Sequence, residues 1–272
     1  GGIMGSSTLY HLAKMGVGDA ILLERNQLTS GTTWHSAAQV RALRHSQNLT
    51  RMIQYSVDLY SQLETETGQN VGWIQKGSLS IATTPDRLIH VKRQEALAHA
   101  YGIEAQSISA GEAKEIWPLM NAEDVLGAVW SPNDGRVCPS DVCAALVKAA
   151  RGLGAKLFEK TGVTGILTEN GRIKGVETTQ GTVMCEAIAL CTGLWSREVG
   201  AMAGAEVPVD LTGTLSGPGP FELSCTLGVA CDVSLDGFLP SSTNQIVVLE
   251  SGDCGSADAV AATWTGIEVQ TQ

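Results

Sequence analysis

The glycine-rich start of the chain constrains the fold more than any other feature. Gly2 and Gly5 occupy the second and third glycine positions of a G-x-G-x-x-G pattern, whose first glycine and preceding strand are not in the sequence. In that pattern, the second glycine lets the backbone approach a pyrophosphate, and the third lets the following helix pack closely on its strand. The pattern therefore predicts a helix whose first amides face a phosphate group.

The residues after the glycines extend this interpretation. Residues 5–15 carry apolar and small side chains at helical spacing, and residues 20–23 form a short apolar run typical of a buried strand. Glu24 follows that run, about 20 residues after the glycines, where an acid accepts a ribose hydroxyl. A glycine pattern alone also fits an ordinary turn, but the helix, strand and acid at these spacings favour an α/β, Rossmann-like nucleotide-binding fold.

Composition argues against several classes of partner. With 18 Lys and Arg against 28 Asp and Glu, the net charge of −10 argues against nucleic acid and anionic membranes. No run of the sequence is long and apolar enough to cross a bilayer. The seven cysteines include no C-x-x-C pair, which argues against zinc and favours reduced, mostly buried thiols. We therefore expect a protein of the bacterial cytoplasm or the mitochondrial matrix that is not secreted.

Charge is divided unevenly along the chain. All 18 Lys and Arg lie at or before Arg197, whereas residues 210–272 contain eight acids and no basic residue. Such an abrupt change in composition indicates a boundary. We predict a divergent acidic tail over residues 210–272. A shifted reading frame, an alternative exon, a chimeric gene or a lineage-specific β segment would each account for it.

Between the glycines and the tail, the sequence alternates between helix and strand patterns. Helices are predicted at 46–68, 85–100, 139–153 and 196–202, strands at 77–82, 125–130, 155–159 and 187–190, and a meander at 161–185. Gly193 follows the last strand, where a glycine permits close approach to a nucleotide. We divide the chain into nucleotide-binding parts at 1–70 and 139–209, a substrate-facing α+β insert at 71–138, and the tail at 210–272.

Five segments together resemble one known family. They are the run from Leu22 to His35, which ends in T-T-W-H, then E-T-E-T-G-Q at 64–69, G-S-L at 77–79, D-G at 134–135 and G-L-W-S-R-E-V-G at 193–200. Over residues 1–209 the chain is similar to the FAD-dependent amine oxidoreductases of D-amino-acid oxidase type, and most similar to the sarcosine and dimethylglycine dehydrogenases. The resemblance implies a Rossmann-like FAD-binding domain without its first strand, an inserted α+β substrate layer and an unrelated tail.

The resemblance also implies how FAD is held. His35, in the T-T-W-H segment, would carry the flavin covalently through its 8α-methyl carbon. Taken with the glycine pattern, the candidate cofactor-binding residues are Gly2, Gly5, Glu24, Arg25, Thr32, Thr33, Trp34, His35, Val163, Thr192, Gly193 and Trp195. Spacing alone says less about His35, because a single histidine is usually a structural residue. Its position in a Ser/Gly/Thr loop and the neutrality of imidazole near physiological pH support attachment.

The implied reaction is oxidation of an N-methyl or secondary amine, with a hydride passed to the flavin and the resulting imine hydrolysed. Members of the family pass electrons to an electron-transfer flavoprotein, and many release the carbon to tetrahydrofolate in a separate domain. Residues 210–272 lack the family's later substrate-site strand and glycine-rich segment, so no catalytic residue is assigned. Two alternatives stay open: a flavoprotein with non-covalent FAD acting on another amino or hydroxy acid, and a non-catalytic fragment of such an enzyme.

Overall fold

A computed structural model describes residues 1–207 of the chain. The chain divides into two compact units, the first comprising residues 1–162 and the second beginning at Val163. The predicted acidic tail at 210–272 lies outside the described residues. The four-part division drawn from the sequence stays a prediction, because it places its boundaries at other positions and follows function rather than compactness.

The first unit alternates helices and strands. Its helices are α1 (Ile3–Lys14), α2 (Gln47–Thr67), α3 (Pro85–Ala100), α4 (Ala110–Ile116) and α5 (Pro139–Gly152), with a 3₁₀ turn at Thr32–His35. Its strands are β1 (Ile21–Leu23), β2 (Gln39–Val40), β3 (Ser78–Ala82), β4 (Gln106–Ile108), β5 (Gly127–Ser131), β6 (Gly135–Arg136) and β7 (Lys156–Phe158). Strand β1 pairs in parallel with β7, β2 pairs antiparallel with β6, and β3 and β4 flank β5 in an antiparallel sheet.

Helix α1 packs on α5 through an apolar face. The buried cluster contains Leu9, Tyr10 and Ala13 of α1 together with Val142, Ala145, Leu146, Val147 and Ala150 of α5. Spacings of three and four residues put these side chains on one face of each helix, and a fully buried leucine contributes about 1.5–3 kcal/mol. In the parallel pair, Leu22 lies opposite Leu157. The glycine start, helix and strand therefore follow in the predicted order, and the α/β class is confirmed.

Helix α2 has the predicted bounds but a narrower buried face than its sequence indicates. Ser46 is the N-cap residue, and Gly68 ends the helix in the left-handed conformation at φ 65°. Leu49 and Met52 match the helical period but are more than half exposed. Of the residues of α2, Thr50 and Leu63 are fully buried. Periodicity finds the helix, but only the packing of neighbouring elements decides how much of its apolar stripe is covered.

The antiparallel sheet carries two capped helices. Thr84 accepts the N–H of Arg87 at 3.2 Å at the start of α3. Ser109 and Glu112 form a reciprocal capping box at the start of α4, as the sequence predicts. Side chains of both helices pack on β5, so each cap fixes where a helix meets the sheet.

A pH dependence follows from the contact between α3 and β4. The carboxylate of Glu95 accepts the hydroxyl and the N–H of Ser107, the latter at 2.7 Å. The hydrogen bond from the Ser107 hydroxyl is the main reason that the pKa of Glu95 lies below its ordinary value of 4.5. Burial raises this pKa, and the bond from the Ser107 N–H lowers it further. A lowered pKa stabilises the fold at pH values above the unfolded pKa, and this contribution is lost as pH falls through the folded pKa.

We therefore expect Glu95→Gln to lower the midpoint of thermal unfolding at neutral pH. The difference from the unsubstituted protein is expected to shrink as pH falls below about 4.5, towards the lower folded pKa. Melting curves at several pH values measure it, with the exposed Glu115→Gln as the matched control. A difference that stays constant across the acid range would contradict the assignment.

Asp134 joins three segments of the first unit. It is 3% exposed, and its Oδ1 accepts the N–H of Ala42 at 2.8 Å while its Oδ2 accepts the Ser78 hydroxyl at 2.6 Å. The Nε of Arg41 is 3.9 Å from Oδ2. A buried carboxylate needs such partners because burial of an unpaired charge is costly. The aspartate therefore ties the segment after β2 to β3.

The second unit begins with the predicted meander. Strands β8 (Val163–Glu169), β9 (Arg172–Thr178) and β10 (Gly181–Met184) form an antiparallel sheet in the order β10–β9–β8. A 3₁₀ turn at Gly193–Trp195 leads into α6 (Ser196–Ala201). The strand predicted at 187–190 is wrong. Within residues 1–207 no strand pairs with this apolar run, and a short apolar run forms a strand only where a neighbour completes its hydrogen bonds.

Within residues 1–207, none of the four cysteines forms a disulfide, and they are less buried than predicted. Cys143 is buried, whereas Cys138, Cys185 and Cys191 are half-buried. Burial raises the pKa of the Cys143 thiol despite the opposing effects of the Ser6 hydroxyl and the amino terminus. In the same range, no helix has both the length and the apolarity needed to cross a bilayer. Nor do the described residues include a group of three side chains arranged to bind a metal ion.

Candidate functional site

The start of α1 presents two backbone donors without acceptors. Gly2 caps the helix in an extended conformation, and the first turn contains no acidic residue. The N–H of Ile3 bonds to the Thr33 hydroxyl at 3.0 Å. Among residues 1–207, nothing accepts the N–H groups of Met4 and Gly5. Free amides and the positive end of a helix dipole are features that favour an anion such as a pyrophosphate, as the glycine pattern predicts.

Gly2, the first of the two pattern glycines, occupies a position where a side chain would not fit without displacement. A Cβ atom on Gly2 would lie 2.8 Å from the Thr33 hydroxyl oxygen. Gly5 is buried in the first turn of α1. A dinucleotide that approaches the free amides therefore meets backbone at Gly2 rather than a side chain, which is the role the sequence pattern assigns to this glycine.

Glu24 lies beside the glycine start, at the end of β1. Its Oε2 is 2.7 Å from the Gly1 nitrogen, and its Oε1 accepts the N–H of Asn26 at 2.8 Å. The backbone N–H of Glu24 bonds to the Phe158 carbonyl, which continues the pairing of β1 with β7. A carboxylate offers about four acceptor positions, so a ribose hydroxyl could still be bound. The position of Glu24 fits the prediction, and its bond to a ribose stays a prediction.

The T-T-W-H segment forms the 3₁₀ turn Thr32–His35, which we name the His35 turn. Its Trp34 and His35 rings lie against each other, with centroids 3.8 Å apart and planes inclined by 34°. His35 is exposed, and Trp34 is 45% exposed. Among residues 1–207, no group hydrogen-bonds to a ring nitrogen of His35. The imidazole is therefore oriented by its neighbouring ring while its nitrogens stay available.

The remaining sequence candidates are distributed over both units. Arg25 and Thr32 are exposed residues of the first unit. Val163 opens β8, opposite Thr178, in the second unit. Thr192 precedes the turn Gly193–Trp195 and bonds through its hydroxyl to Ser196 at 3.2 Å. Gly193 has φ 58°, a conformation that suits glycine, but it follows an irregular segment rather than the predicted strand.

The structure brings one group of candidates together. Gly2, Thr33 and His35 share the surface around the start of α1, because Thr33 bonds to Ile3 and His35 lies two residues further along the same turn. Glu24 adjoins this group through Gly1. The candidates of the second unit belong to a separate compact body, and their part in cofactor binding stays a prediction.

Two arginines that follow the His35 turn are functional candidates that the sequence patterns do not single out. The Nη2 of Arg41 donates to the Ser80 hydroxyl at 2.7 Å, and its Nε faces Asp134. The Nη1 of Arg44 donates to the carbonyls of Arg41 and Leu43, both at 2.8 Å. Within residues 1–207 no carboxylate lies in ion-pair distance of Arg44. Their R-x-x-R spacing, which begins six residues after His35, is the signal that could have identified them.

Comparisons with known proteins identify the family to which the chain is similar. The sequence model of the family described as DAO, FAD dependent oxidoreductase, matches residues 1–215. Mouse mitochondrial sarcosine dehydrogenase is 43% identical over 215 residues, which are 77% of this chain and 23% of the relative. The mouse mitochondrial pyruvate dehydrogenase phosphatase regulatory subunit is 41% identical over 200 residues, 74% of this chain and 23% of the relative.

One solved structure is similar to this chain in both fold and sequence. L-proline dehydrogenase from P. horikoshii superposes with a TM-score of 0.72 at 31% identity, over 78% of this chain and 55% of that one. The chain thus spans about a quarter of the length of the two curated relatives named above and about half of the solved one. The family match covers all of the described residues and includes the glycine start, Glu24 and the His35 turn. The chain therefore belongs to the family of FAD-dependent oxidoreductases.

Proposed function

We propose that this chain binds FAD at the start of α1, attaches it covalently to His35, and belongs to an enzyme that oxidises an N-methyl or secondary amine such as sarcosine or dimethylglycine. One observation carries the proposal. The His35 imidazole is exposed, has no hydrogen-bond partner among residues 1–207, and sits on a turn that is bonded directly to the first amide of α1. A free imidazole nitrogen beside a dinucleotide-binding helix is what covalent attachment requires.

Several residues of the chain fit FAD. The amides of Met4 and Gly5 would hold the pyrophosphate, and Glu24 would accept a ribose hydroxyl. His35 would form a bond from a ring nitrogen to the 8α-methyl carbon of the flavin, with loss of a C–H proton from that carbon and transfer of the electron pair into the flavin ring, which the electron acceptor would reoxidise. The bond would keep the cofactor on the protein. Bound flavin supplies the acceptor for a hydride taken from the substrate amine. The protein's part is to orient that amine and to exclude water from the imine until hydrolysis.

Arg44 and Arg41 support an amino-acid substrate. The relatives named above include dehydrogenases of sarcosine and of L-proline, both of which carry a carboxylate. A guanidinium binds a carboxylate through two parallel hydrogen bonds. Arg44 has no carboxylate partner within residues 1–207, whereas Arg41 already faces Asp134. We infer that Arg44 is available to bind the carboxylate of the substrate and that Arg41 holds the segment in place.

The electron acceptor and the cellular compartment of the chain are inferred from the family and its relatives. We infer that electrons leave the reduced flavin to an electron-transfer flavoprotein, as the family resemblance implies. Mitochondrial names among the relatives support the mitochondrial matrix for a eukaryotic chain. For a bacterial chain, which one bacterial relative represents, we infer the cytoplasm. The acidic balance of the chain, with 28 Asp and Glu, supports small-molecule chemistry rather than nucleic-acid binding.

A non-catalytic role is the second candidate function, and one comparison favours it. A relative at 41% identity is named as a regulatory subunit rather than as an oxidoreductase. A chain of that kind would keep the FAD-binding fold without oxidising an amine. A third candidate, a flavoprotein with non-covalent FAD acting on another amino or hydroxy acid, needs the same glycine start but no reactive His35.

Two measurements separate these candidates. Saturating FAD is expected to raise the melting temperature of the apoprotein, since a ligand at 100 times its Kd stabilises the native state by about 2.7 kcal/mol. Anaerobic sarcosine or dimethylglycine is then expected to bleach the flavin absorption band, with L-lactate as the hydroxy-acid comparison. Stabilisation without bleaching by any substrate would favour the non-catalytic role. Bleaching by L-lactate alone would contradict the amine assignment.

A further inference from the structure

We propose that Thr33 is a positioning residue that locks the His35 turn to the first amide of α1, and that it does not itself bind FAD. The inference rests on the proposed function, in which FAD lies at the start of α1 and is attached to His35. It assigns Thr33 a task that neither the glycine pattern nor the resemblance gives it. One hydroxyl would then set the distance between the pyrophosphate end of the site and the residue that holds the flavin.

The first support is a long-range hydrogen bond. Thr33 Oγ1 accepts the N–H of Ile3 at 3.0 Å across 30 residues of sequence. Ile3 is the first residue of α1, so this bond uses the amide that the helix itself leaves unpaired. The two amides after it, those of Met4 and Gly5, have no acceptor within residues 1–207. The threonine thus takes one donor and leaves the next two for an anion.

The second support is the space beside Gly2. A Cβ atom on Gly2 would approach Thr33 Oγ1 to 2.8 Å, so the hydroxyl sits in room that only glycine leaves free. The glycine pattern assigns Gly2 to close approach of a pyrophosphate. In this chain the same glycine also admits the threonine. The contact between the turn and α1 therefore depends on both Gly2 and Thr33.

The third support is the way the His35 segment is held at its ends. Thr29 and Ala38 both have left-handed backbones, at φ 65° and 61°, which non-glycine residues adopt only when the surroundings impose it. The N–H of Thr29 bonds to the Gly1 carbonyl at 2.9 Å, and the Ala38 carbonyl accepts the N–H of Val137 at 3.2 Å. Backbone bonds thus fix both ends, and the Thr33 hydroxyl fixes the turn between them.

The Thr33 hydroxyl affects the position of His35 through the backbone of the turn that both residues share. The Thr33 carbonyl accepts the N–H of Ser36 at 3.2 Å, which closes the turn around Trp34 and His35. The His35 imidazole has no hydrogen bond within residues 1–207, so its position depends on the backbone of the turn and on the Trp34 ring. Loss of the Thr33 anchor would leave the imidazole attached to a turn that can move relative to α1.

The test uses three variants of the full chain. Thr33→Val keeps the branched shape but removes the acceptor, Thr33→Ser keeps the acceptor, and Thr83→Val changes an exposed threonine outside the candidate site as the matched control. Apoprotein of each variant is mixed with FAD. Two quantities are followed: the Kd for FAD before attachment, and the rate at which flavin fluorescence becomes resistant to acid precipitation. Hydrogen exchange of the peptides that contain Ile3 and residues 32–36 is measured on the apoproteins.

We expect Thr33→Val to slow attachment at least about tenfold, which corresponds to the loss of one hydrogen bond of ordinary strength. Its Kd for FAD is expected to change by less than that factor, because the Met4 and Gly5 amides remain. Exchange is expected to be faster in both peptides. Thr33→Ser and Thr83→Val are expected to attach FAD like the unsubstituted protein.

Attachment in Thr33→Val at the unsubstituted rate would overturn the inference and leave the proposed function standing. A loss of FAD affinity as large as the loss of attachment rate would also overturn it, because Thr33 would then be a cofactor ligand. If the unsubstituted protein binds no flavin covalently, the attachment to His35 fails and the role of Thr33 in it fails too. Unchanged exchange in Thr33→Val would independently show that the lock does not restrain the turn.

Discussion

Replacing Asp134 with alanine is expected to lower the free energy of unfolding by about 2–4 kcal/mol, because it leaves two donors inside the first unit without an acceptor. These are the backbone N–H of Ala42, a buried residue, and the hydroxyl of Ser78. Each unsatisfied buried group costs about 1–3 kcal/mol. The nearby guanidinium of Arg41 would also lose its counter-charge. Urea unfolding followed by circular dichroism measures the change.

Asp134→Asn is the graded comparison. Asparagine keeps an acceptor oxygen for the Ala42 N–H, and its amide N–H can donate to the Ser78 hydroxyl oxygen, so a smaller loss is expected. Asp124→Ala, at an exposed position of the same unit, serves as the control and is expected to change stability by no more than about 0.5 kcal/mol. Equal effects of the substitutions at 134 and 124 would contradict the structural role of Asp134.

Asp134→Ala is also expected to affect the candidate site. Asp134 holds the N–H of Ala42, which lies between Arg41 and Arg44 in sequence. Its loss is therefore expected to weaken substrate binding more than FAD binding, since the start of α1 does not touch this segment through any hydrogen bond within residues 1–207. A rise in the amine concentration needed for half-maximal bleaching, with an unchanged Kd for FAD, is the expected pattern.

Substitution of His35 by asparagine is expected to abolish covalent flavin entirely. Asparagine retains a polar side chain in the turn, but its amide nitrogen is not a nucleophile, whereas a neutral imidazole nitrogen is. FAD is still expected to bind, because the Met4 and Gly5 amides and Glu24 are unchanged. After acid precipitation, all flavin is then expected in the supernatant, and the melting temperature is expected to depend on added FAD.

His45→Asn is the matched control for that experiment. His45 is exposed and lies ten residues further along the chain, before α2 begins. It is expected to keep its flavin in the precipitated protein. Flavin that stays with the His35→Asn protein would assign the attachment to another residue and remove His35 from the site.

Local sequence signals predict much of this structure, because helices, caps and turns depend mainly on interactions between residues that are close in sequence. The helix after the glycines, Glu24 at the end of β1, the Ser109 capping box and the meander from 163 to 184 all follow from periodicity, capping or turn residues. These signals depend on neighbours within a few positions, where backbone geometry alone decides the outcome. The T-T-W-H segment is different, because only the family resemblance draws attention to it.

Features that depend on distant partners are the ones that sequence patterns miss. The apolar run at 187–190 reads as a strand, but strand formation depends on a neighbour that the run itself does not encode. Asp134 looks like a turn residue, whereas its carboxylate reaches Ala42 across 92 residues. The bond from Ile3 to Thr33 spans 30 residues and is equally invisible to local patterns. Candidate residues that are distant in sequence form a site only where long-range hydrogen bonds bring them together.

Peptide mapping of the unsubstituted protein tests the central claim most directly. Trypsin cleaves after Arg25 and Arg41, and residues 26–41 contain no other basic cleavage site and no histidine besides His35. Protein saturated with FAD is precipitated in acid, digested and analysed by mass spectrometry. The peptide 26–41 is expected to carry the added mass of the flavin and its fluorescence, with fragment ions placing both on His35. Flavin found only in the acid supernatant, or on another peptide, would contradict covalent attachment at His35.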